Sequence, residues 1–152
     1  MISDFITGKT ALLCFMGICA ICDHRSRSVS VSVFAAAFFL ELAAYTVLAL
    51  SGYPITWLNV LTGLVPGCLT AAVSCITRGG LGLGDAVYFG ITGLAIGGFY
   101  NMILFAGGIM LSAVYGLGLT AYRLIRGQSA CKASFALLPF VLPVGAAMMV
   151  MI

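Results

Sequence analysis

The sequence predicts an all-α protein, a polytopic transmembrane helix bundle of about six spans, forming one membrane domain over residues 1–152. Three observations carry this. Hydrophobic residues make up 62% of the chain and charged residues only 7%, whereas a soluble domain uses about a quarter charged residues to cover its surface. The apolar residues gather in runs near the ~20 residues that cross a bilayer as a helix. The few charges fall in short breaks between those runs, and no polar stretch is long enough to fold separately.

The spans follow from the breaks. The first runs from about Phe5 to Cys22 and stops at "DHRSRS". The second runs from about Ser30 to Leu50, ended by "SGYP", and the third from about Ile55 to Thr77, ended by "TRGGLGLG". The fourth, about Asp85 to Phe99, and the fifth, about Met102 to Tyr122, are divided only by the short Gly-rich "GGFYN". After "RLIRGQSACKAS" comes the sixth, about Phe135 to Ile152. Asp4 and Lys9 interrupt the start of the first span and no basic region precedes it, so it does not read as a cleaved signal peptide.

Six spans put Arg25, Arg27, Arg78, Arg123, Arg126 and Lys132 on one side and only Lys9 near the other. Basic loops mark the cytoplasmic face, so both termini are expected to face outward. The net charge of +3 does not read as a nucleic-acid footprint, because the charges sit in short loops beside spans.

Against this background the four acidic residues stand out. The topology puts Asp23 at the cytoplasmic end of the first span and Asp85 at the cytoplasmic start of the fourth. The two are remote in sequence but matched in depth. Carboxylates at or within the membrane are costly and mark functional sites, although a single interfacial Asp is also readily solvated by headgroups and water. Asp85 follows Gly82-Leu83-Gly84. Glycines before a helix start leave backbone N–H and C=O groups open to an extended substrate, provided that lipid is kept away. Such a Gly-x-Gly-Asp is a weak signal alone. It is no dinucleotide fingerprint, since no strand precedes it and the third glycine is misplaced.

In three places the chain resembles the type IV prepilin peptidases, polytopic aspartic proteases with a Gly-x-Gly-Asp signature. These are "CDHRSRSVSV" after the first span, "RGGLGLGDAVYFGITGLAIGG" around Asp85, and "LLPFVLPVGA" in the last span. The likeness runs through nearly the whole chain in order and spacing. It suggests the small form, a peptidase core without the methyltransferase activity of larger members. It implies Asp23 and Asp85 as the catalytic pair and Gly82 and Gly84 as signature glycines, with Pro139 and Pro143 as the late prolines. Arg25 and Arg27 would help to orient substrate. Ser30 and Val31 depart from the Pro-Asn common in the family, and Val87 from its usual Lys; these bear on substrate preference and activity. The implied substrate is a prepilin or pseudopilin with a short basic leader and a following apolar helix. It would be cut at the cytoplasmic face of a prokaryotic inner membrane. No cofactor or metal is needed for chemistry by two carboxylates, and one histidine excludes a His-rich metal site.

The remaining polar and small residues have plainer readings. Cys14, Cys19, Cys22, Cys68 and Cys75 read as small apolar fillers within spans, and Cys131 as a reduced loop thiol. Glu41 reads as a neutral group bridging helices, with Tyr45 one turn away in reach of a hydrogen bond. His24 belongs to a solvated loop. Ala86, Gly90, Gly93 and Gly97 form a small-residue stripe for close helix packing. Tyr53 and Trp57 read as interfacial anchors, and Pro66 as a kink in the third span. Two other functional classes fit the composition. One is a small proton-coupled transporter using Glu41, which an inverted repeat would favour but which shows no convincing repeat here. The other is a noncatalytic membrane assembly subunit, which would tolerate loss of both aspartates.

Overall fold

The computed structural model describes residues 2–26, 29–50, 56–77, 82–126 and 137–151. Arg27, Tyr53, Arg78, Cys131 and Lys132 lie outside them. The described residues form six helices: α1 (Ile2–Ser26), α2 (Val31–Leu50), α3 (Trp57–Ile76), α4 (Leu83–Ile96), α5 (Gly98–Ile125) and α6 (Leu138–Met151). By length and composition α3 and α5 can cross a bilayer, and shorter apolar stretches cover Val31–Val47, Leu83–Ile96 and Leu138–Val150. The all-helical fold and the helix order are those expected.

Local chemistry sets the helix boundaries. Ser30 caps α2: its Oγ accepts the Ser32 backbone N–H at 3.3 Å, satisfying a donor that the first turn leaves without an intrahelical partner. The departure from Pro-Asn at Ser30 and Val31 is therefore a serviceable helix start. The break between α4 and α5 is a single residue, Gly97, with φ +79°, a conformation that side chains with a Cβ rarely adopt. Gly97 thus ends α4 rather than continuing its stripe of small residues. Asn59 closes this corner, its Oδ1 accepting the Gly98 backbone N–H at 3.0 Å. The Gly98-Phe99-Tyr100-Asn101 stretch expected to be a turn is already the first turn of α5, which also runs past Tyr122 to Ile125.

The most extensive interface is between α3 and α4, and glycine makes it possible. A Cβ on Gly93 would overlap the Gly63 carbonyl, and one on Gly67 would lie 2.9 Å from the Ala86 carbonyl oxygen and the Gly90 nitrogen. The two backbones are in contact, the arrangement that small residues permit in membrane bundles. Beside them the buried Asn101 of α5 donates through Nδ2 to the carbonyls of Gly63 and Phe89, both at 2.8 Å, and accepts the Thr92 hydroxyl at 3.0 Å. A polar side chain in an apolar interior is stable only when satisfied in this way.

Helices α1 and α6 run antiparallel. Asp23 meets Leu138 at one level and Met16 meets Gly145 about two turns deeper. Helix α5 packs on the other side of α6, through Gly107 and Gly108 against Val144 and Val141. The core is apolar and aromatic, with Met16, Cys19, Tyr88, Phe89, Leu104 and Val141 all at 1% exposure or less. Helix α2 is the most loosely held: it packs mainly on α4. The Tyr45 hydroxyl donates to the Leu94 carbonyl at 2.7 Å, not to Glu41 as the spacing suggested. Its single proton serves to fasten α2 to α4. Glu41 is half-buried on the same helix.

Candidate functional site

The C-terminal end of α1 meets the N-terminal end of α6 and lies across a side-chain seam from that of α4, so the two singled-out carboxyls fall in one region of the fold. Asp23 lies in the last turns of α1, and Asp85 is the third residue of α4. Both are half-buried, and the two carboxyls are near enough to interact electrostatically. The relationship joins residues far apart in sequence, so it is a product of the tertiary fold.

Each carboxylate is held by backbone amides. Asp23 Oδ2 accepts the N–H of Leu138, the first residue of α6, at 3.1 Å. The next residue, Pro139, has no N–H to offer, so Asp23 takes the donor that opens the helix, at the end where the helix dipole favours negative charge. Asp85 forms a reciprocal arrangement with Gly82. The Asp85 backbone N–H donates to the Gly82 carbonyl at 3.0 Å, and the Gly82 amide hydrogen-bonds the Asp85 carboxylate. This is the half of a capping box that a carboxylate at the third helical position supplies.

Gly82 has φ −68° and ψ 135°, ordinary extended backbone open to any residue. What it contributes is space: a Cβ there would stand 3.5 Å from Asp85 Oδ2, over the carboxylate. At Gly84 a Cβ would meet the Phe34 ring of α2 at 3.8 Å. His24 and Arg25 are exposed at the end of α1.

Below the carboxylates is an aromatic floor. The Phe15 ring of α1 stacks on Tyr88 of α4 at 5.7 Å and meets Phe34 edge-on at 6.5 Å. The α1 and α4 backbones do not pack closely; these side chains bridge them. The acid pair therefore lies at the mouth of a side-chain-filled seam between two helices. Among the described residues no group of three or more His, Cys, Asp or Glu is arranged to hold a metal ion.

The family profile described as "Type IV leader peptidase family" matches residues 10–117, well over half of the chain. The chain belongs to the type IV leader peptidase family. The match takes in Asp23, the Gly-x-Gly-Asp of residues 82–85 and most of α5, while Pro139 and Pro143 lie beyond it in α6. Membership implies an aspartic peptidase, a membrane-associated helical protein and prepilin-type substrates. No curated protein and no solved structure gave a match.

Two features of this family member were not singled out from its sequence. The Leu138 amide was hidden because a backbone donor has no sequence signature and its partner is 115 residues away. Tyr88 carried a usable signal: it lies three residues after Asp85, hence on the same helix face.

Proposed function

We propose that this chain is a membrane-embedded aspartic endopeptidase that removes the leader peptide of a type IV prepilin or pseudopilin-like substrate at the cytoplasmic boundary of the membrane. The single observation that carries the reading is that Asp23 and Asp85, on two helices bridged by the Phe15–Tyr88 stack, lie near enough to interact electrostatically.

The reaction needs one protonated and one ionised carboxyl, which a pair of carboxyls sharing a proton supplies. The ionised member takes a proton from water as that water attacks the scissile carbonyl carbon. The protonated member donates to the carbonyl oxygen, and proton transfer to the nitrogen then releases the amine. Gly82 puts no side chain over Asp85, which leaves the approach to that carboxylate open. Arg25 and Arg27 would help to orient the substrate. The domain acting in this way spans residues 1–152.

The test is cleavage, in liposomes, of a peptide carrying a short Lys/Arg leader before an apolar helix of about 20 residues. The wild-type protein should release the leader, and Asp23→Asn and Asp85→Asn should each abolish release while still inserting. Full activity in either variant refutes the reading.

A further inference from the structure

The acid pair has a neighbour that the chemistry above does not use. Tyr88 is 1% exposed, and its ring is held from two sides. Phe15 stacks on it at 5.7 Å with the planes 18° apart, and Phe89 meets it edge-on at 5.3 Å. It sits three residues after Asp85 on α4. Side chains on a helix lean toward its N-terminus, so a long side chain at this spacing returns to the turn that bears Asp85. The hydroxyl lies within electrostatic reach of two groups, Asp85 and the buried Cys19 of α1. Cys19 in turn stands one helical turn before Asp23 and feels its charge.

A phenol whose ring is enclosed by apolar side chains gains from an acceptor for its proton. Of the two groups in reach, a thiol is a weak acceptor and a carboxylate a strong one. The ring is fixed by packing, so little rotamer freedom remains to be lost when that bond forms. From this placement we infer that Tyr88 is a positioning residue of the peptidase site, its hydroxyl hydrogen-bonding the carboxylate pair from the membrane side during the reaction. The inference rests on the peptidase reading and adds a group to it. Water and substrate reach the acids from the open side, over Gly82, and Tyr88 holds them from below.

Tyr88→Phe keeps the ring and both aromatic contacts and removes only the donor. With the Lys/Arg-leader peptide in liposomes, kcat should fall roughly 10- to 100-fold, the value of one hydrogen bond to a charged group. KM should stay within about two-fold, because the group acts on the acids and not on substrate binding. Placing p-aminophenylalanine at position 88 restores a donor on the same ring and should recover most of the lost kcat. Wild-type kcat in Tyr88→Phe overturns the inference, as does equal impairment of the two variants, which would make the effect one of packing. If the Phe variant fails to accumulate in the membrane, the p-aminophenylalanine protein decides alone: turnover near wild type supports the donor, and a folded but inactive protein overturns it. A wild-type protein that leaves the peptide intact refutes the peptidase reading itself, a result distinct from all of these.

Discussion

Asp23 Oδ2 accepts the backbone N–H of Leu138 at 3.1 Å, tying the end of the first helix to the start of the last. The same carboxyl interacts electrostatically with Asp85, so one side chain both caps a helix and is a member of the proposed acid pair.

These two roles separate by substitution. Asp23→Asn keeps an oxygen for the Leu138 amide and should fold with wild-type stability while losing cleavage. Asp23→Ala should lose cleavage and also about 1 kcal/mol of stability, the usual cost of removing a helix cap. Thermal unfolding in detergent, run beside the peptide assay, distinguishes the two.

Gly82 should be dispensable for folding and needed for turnover. An alanine Cβ would stand 3.5 Å from Asp85 Oδ2, an ordinary contact, and the backbone angles suit any residue. Gly82→Ala should therefore unfold at the wild-type temperature yet cleave more slowly, because a methyl group then occupies the approach to the carboxylate. Unfolding temperature and cleavage rate measured on one preparation check this.

The stripe of small residues on α4 should prove unequal. A Cβ on Gly93 would overlap the Gly63 carbonyl, whereas one on Gly90 meets nothing within 4 Å. Gly93→Ala should destabilise by about 1–3 kcal/mol, the range for overpacking, and Gly90→Ala should be neutral. Denaturant titration of the two variants in parallel gives the comparison.

Asn101→Leu removes the donors to Gly63 and Phe89 and the acceptor for Thr92. At about 0.6 kcal/mol for an average interhelical bond in a membrane protein, and up to about 1.7, the variant should lose on the order of 2 kcal/mol. The loss should show as earlier unfolding of the whole bundle, since α3, α4 and α5 all meet at this side chain.

The helices were legible because composition alone separates apolar runs from their breaks. What the sequence concealed was set by single residues or by tertiary contact. Gly97 looked like one more small residue on a helix face, because its neighbours at Gly93 and Gly90 are of that kind; only its backbone angle shows that it ends the helix. The expected partner of Tyr45 was Glu41, one turn away, but the Leu94 carbonyl of a neighbouring helix takes the proton. At the candidate site the two aspartates could be singled out from the family resemblance and from matched depth. The amide that holds Asp23 was not, since nothing in the side chain of Leu138 announces it.

The one-residue corner at Gly97, locked by Asn59, bears on how the enzyme could open. With so short a tether and backbones touching at Gly63 and Gly93, α4 is joined closely to both α3 and α5. Asp23 rides instead on α1, whose backbone leans on α6. Helix α6 leans on α5 as well, so widening the acid pair to admit a polypeptide would part α1 from α4 along the Phe15–Tyr88 seam.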